Sequence, residues 1–322
     1  MQLLEHTPVF DADTAAAIAA EHFGIRARAH ALPSERDQNF LLTNQAEEKF
    51  VLKIANALES RSFLEAQNSI LKHLERQVSF CQKLLPATSG AEIVVVKTAN
   101  GVMHFVRMVH YLPGKPLAEI KPHSPELLDD VGRKLGQLAR ALADFDHKAV
   151  HRDFHWDLAN GNRVVNEFAG LIDNAGLREM VLKCRFESPA SLRRSVIHGD
   201  ANDYNLLVDP RSSIVTGLID FGDMVHSYTV GDLAIAIAYV ILDKTDLHAA
   251  AREIVKGYRG EFELQDDELE ALWPLVRLRL AMSVSLAAQQ LRQQPENEYL
   301  RISQKAIEKN LPRIYADDRR FS

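Results

Sequence analysis

Apolar and polar positions alternate with two different periods along the first hundred residues. Residues 11–22, DADTAAAIAAEH, are Ala-rich behind an Asp, which predicts a short capped helix. The runs ARAHAL (27–32), NFLLTN (39–44) and KFVLKIA (49–55) read as strands. Turn-rich PSERDQ and polar QAEE separate them, so two hairpins are expected. Residues 60–77 switch to helical spacing: Phe63, Leu64, Ile70, Leu71 and Leu74 form one apolar stripe, with Ser60 placed to cap it. Two further strands, EIVVVKT (92–98) and GVMHFVRMVHYL (101–112), flank Asn100-Gly101, a strong hairpin signal.

The texture then changes. YLPGKPLAEIKPHSP (111–125) holds four prolines in fifteen residues and reads as a hinge. Beyond it the spacing is mostly helical, apart from strand-like pieces around 205–208 and 214–221. The pattern predicts a small sheet with one main helix, a linker, and a larger helical part, with no internal repeat.

Composition narrows the function classes. The chain has 322 residues, 46% hydrophobic and 25% charged, enough for a substantial core. A net charge of −6 gives no basic footprint for nucleic acid and suits a cationic small substrate. Two cysteines, Cys81 and Cys184, allow no disulfide framework and fit a reducing compartment. The N-terminal residues lack the basic and apolar regions of a signal peptide. The longest strongly apolar run, LAIAIAYVIL (233–242), is too short to span a bilayer, so a soluble cytoplasmic protein without membrane partners is expected.

Two stretches compete for the chemistry: HRDFHWDLAN (151–160) and HGDANDYNLL (198–207). In the second, Asp200 and Asn205 stand in Asp-x4-Asn spacing, and Asp220 follows an apolar run in LIDFGDM. A loop followed by a hairpin can bring the three together. Phosphoryl transfer needs such a set: a carboxylate to orient the acceptor hydroxyl and take its proton, and oxygen ligands for Mg2+. Asp200 suits the base; Asn205 and Asp220 suit the metal. Lys53, on the third predicted strand, is placed to reach nucleotide phosphates, with Glu65 of the following helix as its partner and Glu59 and Glu75 as competitors.

The first stretch fails the same test, because the fifth residue after Asp153 is Leu158 and Asn160 comes too late. It supports another reading. His151, Asp153, His155 and Asp157 alternate, and on a strand they would share one face as the ligands of a metal-dependent hydrolase. In the simplest reading the stretch is a loop anchored by Trp156 with a helix cap at Asp157 or Asn160. Asp157 and Trp156, with Asp223, are also candidates to hold an acceptor's ammonium.

LPSERDQNF, FVLKIAN, YLPGKPL, WDLAN, VIHGDANDYNLLV and LIDFGDM together resemble the aminoglycoside phosphotransferase/choline kinase superfamily, over roughly residues 20–290, and within it the hydroxylysine-kinase-like branch. The resemblance implies an α+β, protein-kinase-like two-lobed fold. Its small N-lobe (1–108) would hold a five-stranded antiparallel sheet and one main helix. A hinge (109–116) would lead to a larger, mostly helical C-lobe (117–322). It implies ATP, or GTP, with Mg2+, and a cationic hydroxyl acceptor: hydroxylysine-like, or else choline-, ethanolamine-, homoserine- or aminoglycoside-like. By the resemblance Asp200 is the base, Asn205 and Asp220 bind metal, and Lys53 with Glu65 serves the phosphates. The backbone near Val109 and Tyr111 meets the adenine, and His198 and Asp232 support the loop. The phosphate loop departs from the glycine-rich type: LPSERDQNF has no glycine, leaving Ser34, Arg36 and Asn39 as side-chain donors. A protein kinase is not expected, since no Ala-Pro-Glu element follows Asp220. A non-catalytic nucleotide-binding pseudokinase is the remaining rival, against which the full set Lys53, Asp200, Asn205 and Asp220 argues. Oligomeric state is not readable.

Overall fold

A computed structural model describes residues 7–317 except 35 and 99, together with 319 and 321. The chain divides into two compact units, Met1–Pro113 and Gly114–Ser322.

The first unit begins with α1 (Ala12–Phe23), started by Asp11, whose Oδ1 accepts from the Thr14 amide at 2.7 Å, and ended by Gly24 at φ 69°. Then follow β1 (Ala27–Leu32), β2 (Gln38–Asn44), β3 (Lys49–Ile54), α2 (Arg61–Glu75), β4 (Leu84–Leu85), β5 (Val94–Lys97) and β6 (Met103–His110). All strand pairings are antiparallel, in the order β1-β2-β3-β6-β4, with β5 also on β6. The sheet therefore has six strands rather than the expected five. The extra one, β4, is two residues long and shows no period in the sequence.

One sheet face is core. Phe40, Leu42, Phe50, Leu52, Ile54, Val106 and Met108 are buried there with Ala15, Ile18 and Ala19 of α1. The period-two pleat puts the odd residues of β3 on the opposite face. Lys53 is there, with Asn39 directly beside it on β2 and Arg107 directly beside it on β6.

The second unit contains β7 (Lys115–Pro116), α3 (Pro125–Leu142), α4 (Gly161–Phe168), α5 (Ala175–Lys183), β8 (Arg194–Ile197), β9 (Leu206–Asp209), β10 (Ile214–Leu218), β11 (Val225–Tyr228), α6 (Gly231–Val240), α7 (Leu247–Arg259), α8 (Asp266–Gln293) and α9 (Gln304–Tyr315). α3 and α7 cross at backbone contact: a Cβ on Gly132 would lie 1.8 Å from the Ile254 carbonyl oxygen, and one on Gly257 would lie 1.9 Å from that of Asp129. α8 has 28 residues and is long and apolar enough to cross a membrane by composition, but 83% of its apolar window is buried inside the unit. It is the core helix of this unit.

Two of the strands that were not anticipated position the site. β8 and β11 pair antiparallel, with Val225 opposite Ile197, while β9 and β10 form a second ladder. Residues 198–205 leave β8 and enter β9. Residues 219–224 leave β10 and enter β11. Two loops are thus fixed at both ends by four short strands.

Candidate active site

The loop after β8 is built from inside outward. His198 is fully buried. Its Nδ1 accepts from the Asp200 amide at 3.2 Å, so Nε2 carries the hydrogen and donates to the Ile219 carbonyl at 2.9 Å. Burial holds its pKa below the usual value, which keeps the ring neutral in this role. Asp232, in the first turn of α6, accepts from both loop amides: Oδ2 from His198 at 2.8 Å and Oδ1 from Gly199 at 2.9 Å. Gly199 has φ 80°, and a Cβ there would lie 2.3 Å from the Asp223 carbonyl oxygen, so only glycine brings the two loops this close. The Ile219 amide donates to the Asn205 carbonyl at 3.0 Å, locking the second loop to the first.

Asp200 stands where these constraints converge. Asn205 Nδ2 donates to its backbone carbonyl and to its Oδ2, both at 2.8 Å, and Asn202 Nδ2 reaches both carboxylate oxygens at 3.0 Å. Arg279 of α8 donates to Oδ1 at 2.8 Å. That arginine is 2% exposed. It also donates to the Trp156 carbonyl at 3.1 Å and the Tyr239 hydroxyl at 3.3 Å, and stacks on the Trp156 ring at 4.6 Å. Burial pushes the Asp200 carboxyl up to about 7 against the attraction of Arg279, with Asp223 and Asp220 adding to the rise.

Asp220 holds a left-handed conformation, φ 66° and ψ 72°, at the turn out of β10, a backbone state that is uncommon for a non-glycine residue. Because Asn205 uses its Nδ2 on Asp200, its carbonyl Oδ1 faces away. Asn205 Oδ1 and the Asp220 carboxylate are hard oxygens of the kind Mg2+ takes, one or two from protein and the rest from phosphate and water. Among the described residues no group of three or more His, Cys, Asp or Glu side chains could hold a metal ion.

The hydrolase reading of residues 151–160 is overturned by the same observation. The four residues do not lie on a strand and turn to different partners. His151 pairs with Asp146 at 2.7 Å and stacks on His226. Asp153 pairs with Arg163, and His155 lies beside the Phe168 ring. Asp157, 6% exposed, accepts from the Ser227 hydroxyl and from the Ala159 amide, capping a 3-10 turn over Leu158–Asn160. Asp223 is buried behind Gly199, and Arg152 donates to the Gly222 carbonyl at 3.1 Å.

In the first unit Lys53 is half-buried between Asn39 and Arg107. The α2 groups reaching this row are Gln67 and Asn68, both held by Arg107. Glu65 pairs instead with Arg61, one turn earlier at 2.9 Å, because it lies on the exposed flank of α2; its partner in the structure is not Lys53. Ser34 Oγ accepts from Asn39 Nδ2 at 3.1 Å. Asn56 ties down the glycine-free loop, donating from its side chain to the Arg36 carbonyl at 3.2 Å and from its amide to Asp37 Oδ1 at 3.0 Å. Val109 lies in the sheet between Val51 and Leu84, and the Tyr111 amide donates to the Lys49 carbonyl at 3.2 Å, so that donor is already engaged.

Residues 28–275 match the profile of the phosphotransferase enzyme family. The chain belongs to that family. Among relatives, this phosphotransferase is 32% identical to the hydroxylysine kinase of Mus musculus over 96% of its own length and 90% of the relative's, and 31% identical to that of Bos taurus with the same coverage. Among solved structures it is similar to amicoumacin kinase hAmiN, solved with AMP-PNP, Ca2+ and Ami, at a TM-score of 0.72 and 15% identity over 94% of this chain and 93% of that one. It is also similar to a microcompartment-associated aminopropanol kinase, at a TM-score of 0.67 and 18% identity over 94% of each. The phosphotransferase has the protein-kinase-like fold.

Arg279 is the site residue that sequence reasoning missed. Its only signal is an arginine, one of two with Arg277, in the largely apolar stretch LWPLVRLRLAMSVSLA, at no fixed distance from any motif.

Proposed function

We propose that this phosphotransferase moves the γ-phosphoryl group of ATP or GTP, with Mg2+, to the hydroxyl of a hydroxylated amino acid of the hydroxylysine type. One observation carries the chemistry: a half-buried carboxylate, Asp200, gripped by Arg279, Asn202 and Asn205, with Asp220 on the adjoining loop. Identity of about one third to hydroxylysine kinases over most of both chains supports the acceptor class.

Asp200 orients the acceptor hydroxyl and takes its proton as the oxygen–phosphorus bond forms and the bond to the departing diphosphate breaks. A raised pKa suits a base that must collect this proton near neutral pH. Asn205 Oδ1 and Asp220 would hold Mg2+, which neutralises charge on the phosphates when bound. Lys53, steadied by its strand neighbours, would serve the phosphates, and the segment around Val109 and Tyr111, apart from the engaged Tyr111 amide, would serve the base. Trp156 stays a packing surface for Arg279.

A coupled ADP- and GDP-release screen tests the reading, with ATP and GTP offered in turn against hydroxylysine, homoserine, ethanolamine, choline and kanamycin. Hydroxylysine is expected to show the highest kcat/KM, with release abolished by chelating Mg2+. Higher kcat/KM for choline or kanamycin, or release that survives chelation, overturns it.

A further inference from the structure

The Asp200 carboxylate is already full. An ionised carboxylate accepts at about four lone-pair sites. Arg279 and Asn202 meet Oδ1 at 2.8 and 3.0 Å, and Asn205 and Asn202 meet Oδ2 at 2.8 and 3.0 Å. An acceptor hydroxyl that hands its proton to Asp200 must first donate to it, so one of these contacts has to give way.

The three donors are not equally replaceable. Arg279 is buried, and its guanidinium is also tied to the Trp156 carbonyl and the Tyr239 hydroxyl. Asn205 Nδ2 bridges Oδ2 and the Asp200 backbone carbonyl. Asn202 is half-buried, and among the described residues its Nδ2 bonds to Asp200 alone, through the two longest contacts of the set. Its other end is anchored: Oδ1 accepts from the Tyr204 amide at 2.8 Å and the Asn205 amide at 3.1 Å, which closes the turn. Those amides take the carbonyl end, so the donor end is the one turned to Asp200. The last torsion of an asparagine side chain is broad, so a tilt takes the amine off Asp200 while the oxygen stays with the turn.

We propose that the Asn202 amine is a placeholder for the acceptor hydroxyl: it caps Asp200 until the acceptor displaces it, and so keeps water from reacting with the nucleotide in the meantime. This rests on the kinase reading above, with Asp200 as the base. Uncapped, Asp200 takes a proton from water as the water oxygen bonds to the γ-phosphorus and the bond to the departing nucleoside diphosphate breaks, which releases inorganic phosphate. The cap suppresses that loss and costs some affinity for the acceptor.

The test compares wild type with Asn202→Ser, whose oxygen stops one bond short of the amine position and still serves the turn amides. Three quantities are measured: phosphate release from ATP and Mg2+ without acceptor, KM for hydroxylysine, and the inhibition constant of lysine, which lacks the hydroxyl. The variant is expected to release phosphate about two- to tenfold faster and to lower the hydroxylysine KM by a similar factor, the worth of one hydrogen bond. Lysine should inhibit both proteins alike. Adding Asp200→Asn to the variant should abolish the extra release. In wild type, which needs no variant to fold, the Asn202 side-chain amide resonances should shift on adding hydroxylysine and stay in place on adding lysine. Release no faster than wild type, a hydroxylysine KM that does not fall, a lysine constant that falls with it, or resonances that ignore hydroxylysine overturns the placeholder, while wild-type transfer leaves the kinase reading standing. Transfer that survives Asp200→Asn alone overturns the kinase reading and the placeholder with it.

Discussion

Residues 151–160 and 198–207 are written in similar letters, each with His, Asp and Asn within ten residues. In the first, Asp153 is 69% exposed and spends its charge on Arg163 at the surface. In the second, Asp200 sits behind Arg279, Asn202 and Asn205, and its loop hangs from the buried Asp232. The same carboxylate is screened by water in one place and concentrated by its surroundings in the other. Residue type alone does not separate the two carboxylates; the number of groups that brace them does.

The comparison can be broken most directly by exchanging the two carboxylates for alanine. Asp200→Ala should cut turnover by about a thousandfold with the fold retained. Asp153→Ala removes an exposed pair worth less than about 1 kcal/mol and should leave kcat near wild type. Comparable losses of kcat in steady-state assays would erase the distinction between the loops. Next come the anchors. Asp232→Ala strands two buried amides and should cost about 2–5 kcal/mol in urea unfolding, more than Asp157→Ala, which strands one turn amide and the Ser227 hydroxyl of β11. An equal cost would mean that both loops are braced alike. Arg279→Met is expected to lower kcat about tenfold or more, leaving nucleotide KM near wild type, because the base loses its fixed position.

The smallest effect concerns Asp157. Burial raises its pKa above that of an unfolded carboxyl, with the bonds from Ser227 and Ala159 opposing the rise. The folded state therefore holds this proton more tightly than the unfolded state, and ionisation costs stability as pH climbs through and above the ordinary carboxylate range. Asp157→Asn keeps an acceptor oxygen for both partners and removes that charge. Its Tm should match wild type at acid pH and exceed it by at most a few degrees at neutral pH and above. A gap that opens toward acid instead would show that the carboxylate is stabilised where it sits.

Much of the fold was legible because its elements are long or periodic. Ser60 caps α2 as its position suggests, and the first three strands fall within a residue or two of the expected bounds. β8 and β11 were not legible. Each has four residues, and their partners lie about thirty positions apart in the chain, so no local period announces the pairing. β4 escaped for the same reason. At the site, spacing alone nominated Asp200, Asn205 and Asp220, since a loop and hairpin of fixed length constrain where they fall. Arg279 escaped because its relation to Asp200 is made by helix packing across seventy-nine positions of sequence. Glu65 shows the converse: a charge on the expected helix need not face the expected strand, and its azimuth on α2 sends it to Arg61.

The paired grip of Asp232 on the His198 and Gly199 amides has a consequence for exchange with solvent. Those two protons point into a carboxylate carried by α6, where every residue from Gly231 to Ala238 is buried. They can be traded for deuterium only when α6 itself leaves the core, so they should persist as long as the slowest amides of the unit. The loop that carries Asp200 is then a fixed floor, and whatever opens to admit an acceptor must open around it.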